Sequence, residues 1–273
     1  MQNYFAKILL LMAGVVFAAV SFPARNQVRP SPPGTSVRDD LRKILPKHSA
    51  MPPVARFDDS SVPQDPQDQE RRVHRDRLKG RDNHPLIRDP GVREIDGQAE
   101  TIVLTIVDGV QIIKPGELPD PPGLPISGCI IVIGTVTSGN AYLNQEHTGL
   151  FSEYKVAVDE VLKSDPESVI SAHDEITAWR SGGSLQFPSG HIKHFITAGR
   201  GFPEVGTQYV FFLRRPDKTV RDYAINTAYS VKDQVVLALD DIAYKRPFDG
   251  MRATEFLDKL RQEINARREG GNG

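Results

Sequence analysis

From residue 101 to 239 the apolar side chains come in short runs that alternate with polar ones, separated by Gly, Pro and Asp. A period of two buries one face of a strand and wets the other. Residues 101–107 are apolar at nearly every position, and Asp108-Gly109 then signals a tight turn into residues 110–113. Residues 130–136 and 209–213 are apolar on both faces, which predicts central strands. Further along, Tyr154, Val156 and Val158 alternate with Glu153, Lys155, Ala157 and Asp159, after which Val161 and Leu162 fall out of step. One extra residue near Asp159-Glu160 restores parity, as a β-bulge does. Bulged, bent strands are what closing a small barrel requires. Strands at 176–179, 185–187, 223–231 and 235–239 complete the series, the last two joined by a turn at Lys232-Asp233-Gln234. Six or seven strands at this spacing predict an all-β barrel or sandwich over 100–245.

The pattern changes to a helical period at the end of the chain. Phe256, Leu257, Leu260 and Ile264 form one apolar stripe, Arg267-Arg268 suits the last turn, and Gly270-Gly271 stops the helix. Residues 246–273 are therefore a C-terminal helix and tail, its stripe packed on the barrel.

The first 99 residues differ in texture. Lys7 precedes an apolar run from Ile8 to Val20, with small residues and Pro23 after it. That reads as a signal peptide over 1–21, or as an uncleaved anchor, although a span needs about 20 apolar residues. Residues 22–99 are rich in Pro, Arg and Asp and poor in aromatics, and such composition does not offset the entropy of ordering. They are expected to form a disordered tether. One amphipathic piece, Val37, Leu41, Ile44 and Leu45, fits two helical turns, too few to persist alone. Residues 70–93 interleave arginines with acids. They read as a solvated, self-neutralising linker rather than a patch for an anionic surface.

Charge and cysteine content narrow the class. With 34 basic and 35 acidic residues, no global field favours nucleic acid. Cys129 is the only cysteine, so no intramolecular disulfide exists, and its apolar run predicts a buried, inert thiol. Together with the leader, this points to an extracytoplasmic bacterial protein, periplasmic or secreted.

The densest candidate chemistry is "SGGSLQFPSGHIKHF", residues 181–195. If it is a strand pair, His191 and His194 point to opposite faces, and a metal site would need His147 or His173 to join them. Ser181, Ser184 and Ser189 lie nearby, but no Gly-x-Ser-x-Gly elbow is present. The glycines are explained by hairpin turns. The doublets Asp159-Glu160 and Asp240-Asp241 show no convergence, the second being expected in solvent at a strand end. Trp179-Arg180 is the sole aromatic-basic doublet at a strand end, with Trp179 expected in the barrel core.

Taken in order, "CIIVIGTVTSG", "EYKVAVDEVLKSD", "DEITAWRSGG", "FPEVGTQYVFFL" and "DYAINTAYSVKDQVVLALD" resemble a group of exported bacterial proteins without an assigned activity. More distantly, they are similar to netrin-like and tissue-inhibitor-of-metalloprotease-like domains. The likeness covers roughly 129–240 and rests on strand spacing. It implies a mainly β fold: a small closed or partly open OB-like barrel with a hairpin insertion and a C-terminal α-helix, behind the long disordered N-terminal region. The inhibitor domains act through a disulfide-bonded N-terminal cysteine, which this chain lacks, so that activity does not transfer.

The resulting expectation is a non-catalytic binding or envelope-interaction module, with no catalytic, cofactor-binding or metal residue assigned and no cofactor. Another envelope or secreted protein is the expected kind of partner, nucleic acid is not, and a membrane enters only through an uncleaved leader. The alternatives are a metal-dependent or hydrolytic enzyme built on loops 138–149 and 181–206, and an inhibitor of an exported hydrolase.

Overall fold

The computed structural model describes residues 25–29, 37–57, 66–79, 87, 100–106, 124–144, 146–165, 170–216, 221–241 and 248–270. In chain order the elements are β1 (Arg25–Arg29), α1 (Val37–Ile44), β2 (Val54–Arg56), α2 (Pro66–Lys79), β3 (Glu100–Ile106), β4 (Ile130–Leu143) and β5 (Leu150–Lys163). There follow β6 (Glu175–Ser181), β7 (Gly183–Gln186), β8 (Ile192–Thr197), β9 (Gln208–Arg214), β10 (Tyr223–Lys232), β11 (Val235–Ala238) and α3 (Ala253–Gly270).

Five strands close on themselves in the order β4-β5-β6-β10-β9 and back to β4, with β11 appended to β10. All neighbours in the ring run antiparallel except β6 and β10, which are parallel. That seam is short: only Tyr223 with Ala178 and Ala224 with Trp179 are paired. The result is a small closed β-barrel, the mainly β architecture that the strand spacing predicts, with five strands in the ring and β11 at its margin.

Register shifts supply the curvature. Ile133 pairs with Glu160 and Gly134 with Val158, which leaves Asp159 as the extra residue of the expected bulge. A second shift skips Leu162, and a third, in β4, skips Thr137. In β10 the shift falls at Asn226, between Ile225 and Thr227. It changes the parity of that strand: Tyr223 and Ile225 face the barrel interior, whereas Tyr229 faces out. Simple alternation along 223–231 misplaces Tyr229 for this reason.

Both-face burial of β4 and β9 has a plain cause. Ile130, Val132, Tyr209, Phe211 and Leu213 fill the barrel, while Ile131, Ile133, Val210 and Phe212 form a second core with Tyr229. Phe256, Leu260 and Ile264 of α3 close over that second core, each at most 2% exposed. The single stripe of the C-terminal helix packs on the barrel as its period requires.

The hairpin β7–β8 is inserted between barrel strands β6 and β9 and seeds a second sheet in the order β1-β3-β8-β7-β2. Its turn is closed by Phe187 N–H to the His191 carbonyl (2.8 Å) and Gly190 N–H to the Phe187 carbonyl (2.9 Å). Gly190 takes the left-handed conformation, φ 83°, at no steric cost.

Parts of 22–99 belong to this fold. Leu41 and Leu45 of the amphipathic piece are buried in the barrel core, so α1 is held by packing that a free helix lacks. β2 pairs with β7, β1 pairs with β3, and α2 lies on the barrel. The tether reading thus does not extend to these four elements, and β3, placed with the barrel by the expectation for 100–245, belongs to the second sheet. The leader over 1–21 and the arm expected at 110–113 lie outside the described residues.

Candidate functional site

The densest candidate chemistry, residues 181–195, is spent on holding the sheets together. Ser184 and His194 sit opposite each other across β7 and β8, with Oγ to Nδ1 at 2.8 Å. Both are buried (1% and 6% exposed), and the Ser184 amide donates to the Pro53 carbonyl under β2. This cross-strand pair pins the second sheet. His191 lies beside the Phe187 ring, and His147 is edge-on to Phe57 at 4.9 Å in the β4–β5 turn. His173 is exposed in the β5–β6 turn, where its amide donates to the Val158 carbonyl. Among the described residues no group of three or more His, Cys, Asp or Glu side chains is placed to hold a metal ion.

The loops 138–149 and 181–206 are partly strand. Residues 138–143 finish β4, and Asn144 Oδ1 accepts from the Thr148 and Gly149 amides (2.8 and 2.9 Å) to close the turn. The carboxylate doublets separate. Asp159 accepts from Gln208 (2.9 Å), while Glu160 pairs with Arg261 of α3. Asp240, expected in solvent, is buried. It takes two hydrogen bonds from Arg180 (2.6 and 3.1 Å) and one from the Gly201 amide (3.0 Å), which plugs that end of the barrel. A burial of this kind is tolerated because the charge is paired. Cys129 is buried, and burial pushes its thiol up, as an inert core cysteine requires.

A different assembly stands out, on the outside of the barrel. Odd-numbered positions of β5 and β6 face away from the core, and there the pairing sets Glu153 beside Trp179 and Tyr142 of β4 beside Phe151. Trp179 is therefore not a barrel-core residue: strand parity turns it outward, next to the β6–β10 seam. The Tyr142 and Phe151 rings stack at 5.3 Å, and Phe151 meets Trp179 edge-on at 5.5 Å. Asp222, just before β10, completes a patch of aromatic rings and carboxylates.

Helix α2 covers this patch with arginines. Asp68, Arg71, Arg72 and Arg75 follow the i, i+3, i+4, i+7 spacing of one helix face. Arg75 is fully buried (0% exposed) although it carries a charge. Its Nε donates to both Asp222 oxygens (2.9 and 2.7 Å), and Nη2 also donates to that carboxylate. Nη1 donates to the Tyr142 hydroxyl (2.9 Å) and to Glu153. The guanidinium carbon lies 5.2 Å from the Trp179 ring centroid, and that of Arg72 lies 4.1 Å from Tyr142. Arg72 also binds Glu153 (2.8 Å), and Lys155 reaches Asp68 (3.6 Å).

Burial alone would weaken the Arg75 charge, but Asp222, Tyr142 and Glu153 more than offset it, and the guanidinium stays protonated. Burial pushes the Asp222 carboxyl above its ordinary range against the pull of Arg75. Fork geometry with two carboxylates and two ring faces is chemistry specific to arginine, which a lysine does not reproduce.

Sequence reasoning missed this cluster because it searched 70–93 for net charge. The signal was in the phase: a basic and acidic stripe at helical spacing behind Pro66, which suits a first helical turn. Arg72 and Arg75 bind the chain's own barrel, and Arg71 pairs with Asp68 on the same helix. No protein-family model matches the chain, and no curated protein matches it.

Proposed function

We propose that this protein is a non-catalytic, exported binding module, and that the outer face of β4, β5 and β6 is its recognition surface for polypeptide. The observation that supports it most is the seating of Arg75: the face already holds a peptide helix through guanidinium-specific contacts. The side chains that would support the hydrolytic alternative instead serve structural pairs, Ser184 with His194 and Asp240 with Arg180. Export is supported by the leader-like pattern of 1–21 and by the single buried thiol. Among the described residues no helix is long and apolar enough to cross a membrane.

Selection of a random displayed peptide library against the full chain tests this reading. The expected result is enrichment of related peptides that protect barrel amides from hydrogen exchange. Failure to enrich any peptide, or turnover of a hydrolase substrate that is lost in Ser184→Ala, overturns it.

A further inference from the structure

Helix α2 is held in an unusual way. None of the described side chains of α2, residues 67–75, belongs to any of the three apolar clusters, and Val73 is 42% exposed. Arginine contacts to Tyr142, Glu153, Trp179 and Asp222 seat it on the barrel, with Asp68 reaching Lys155. Among these described side chains apolar burial, the usual source of helix docking, is absent. A 14-residue helix of this polarity is also marginal once free. Releasing Arg72 and Arg75 uncovers a preformed receptor whose rings and carboxylates sit on β4, β5 and β6 and just before β10.

We propose that the seat of α2 is an exchange site, at which a partner polypeptide helix bearing arginines at i and i+3 replaces Arg72 and Arg75. The partner's chemistry follows from the receptor. Two carboxylates, Glu153 and Asp222, favour two positive charges. The Tyr142 and Trp179 faces favour flat guanidinium over ammonium, and Asp222 accepts a fork in plane. In the resting chain α2 is the competitor. Because it is tethered, it acts at an effective concentration on the order of millimolar, which an untethered ligand must exceed. This inference rests on the binding-module reading and narrows it to one seat and one class of partner.

Trp179 is the only tryptophan in the chain and lies under Arg75, so its emission reports the seat directly. The probe is a peptide of residues 66–79, which contains no tryptophan, added to the full chain carrying Arg72→Ala and Arg75→Ala. Circular dichroism verifies the fold of the variant. The expected result is red-shifted Trp179 emission in the variant. The peptide reverses it at a concentration at least tenfold lower than is needed to compete in the wild-type chain, and a peptide with Arg75→Ala has no effect. Equal peptide binding by variant and wild type, with no change at Trp179, overturns the exchange site while the binding-module reading stands. Absence of binding by the folded variant overturns it as well. If the variant does not fold, the wild-type chain is used with a photoreactive group at the peptide's Val73 position. Crosslinking near Tyr142 that requires the peptide's Arg75 then supports the proposal, and crosslinking indifferent to Arg75 overturns it.

Discussion

Two buried arginine–aspartate pairs of the same chemistry sit in different mechanical settings, and the difference can be measured. Arg180 and Asp240 close the inside of the barrel, with side chains 5% and 0% exposed. Arg180 lies within β6 and Asp240 directly after β11, so neither rides on a separate helix. Asp240→Asn keeps the shape, removes the charge, and leaves the Arg180 cation with only the Gly201 carbonyl and a weakened partner. Breaking such a pair from one side costs about 3–5 kcal/mol. For a domain of this size that lowers Tm by roughly 6–20 °C. Arg75 and Asp222 are as well buried, 0% and 1%, but one partner rides on α2. In Asp222→Asn the helix can lift and return Arg75 to water. The loss is then capped at the docking free energy of a charge-held helix, about 1–2 kcal/mol once its ordering is counted. Thermal melts followed both by circular dichroism and by Trp179 emission distinguish the two. Asp240→Asn should melt early in a single transition with both probes coincident. Asp222→Asn should keep most of the wild-type Tm while its Trp179 emission is already shifted at low temperature. Equal Tm losses in the two variants, with Trp179 changing only as the whole chain melts, would refute the reasoning and make α2 an integral part of the core.

Three further outcomes follow from the same structure. Burial pushes the Tyr209 phenol up to about 12 and the Tyr154 phenol higher still, so the unfolded chain ionises first. Their stabilising contribution is complete below about pH 10 and is lost as pH rises through the folded values; phenolate absorbance should show late-titrating tyrosines, and Tm should fall steeply above that pH. Cys129 should resist a thiol reagent in the native state and react at the rate of unfolding, whereas fast native labelling would contradict its burial. At Gly201 an added Cβ would overlap the Leu239 carbonyl, a backbone atom that cannot step aside; Gly201→Ala should therefore cost more than 3 kcal/mol in urea melts, and a near-neutral result would refute that packing.

The fold was readable in the sequence wherever burial follows a fixed period. Tyr154, Val156 and Val158 announced one face of β5, and the parity break after Asp159 announced the bulge that bends it. The stripe of Phe256, Leu260 and Ile264 likewise announced α3. What escaped notice depends on contacts distant in sequence. Tyr229 changed sides because of a single extra residue, Asn226, which leaves no trace in composition. Trp179 reads as core from its hydrophobicity, yet it is covered by an arginine more than a hundred positions earlier in the chain. The candidate site was illegible for the same reason: hydropathy scores Arg75 as solvent-seeking, and only three-dimensional pairing with Asp222 and Glu153 makes its burial favourable. The serine and histidine of 181–195 did meet, as Ser184 and His194, but as a cross-strand bond beneath β2.

Native-state hydrogen exchange, resolved by residue, bears most directly on whether α2 is a replaceable occupant or a fixed element. If α2 is a replaceable occupant seated by its guanidinium contacts, amides of residues 70–75 should exchange through a local, denaturant-insensitive opening that lies at least about 3 kcal/mol below that of β5. Amides of α2 that exchange only with the global unfolding of β4, β5 and β9 would contradict this account.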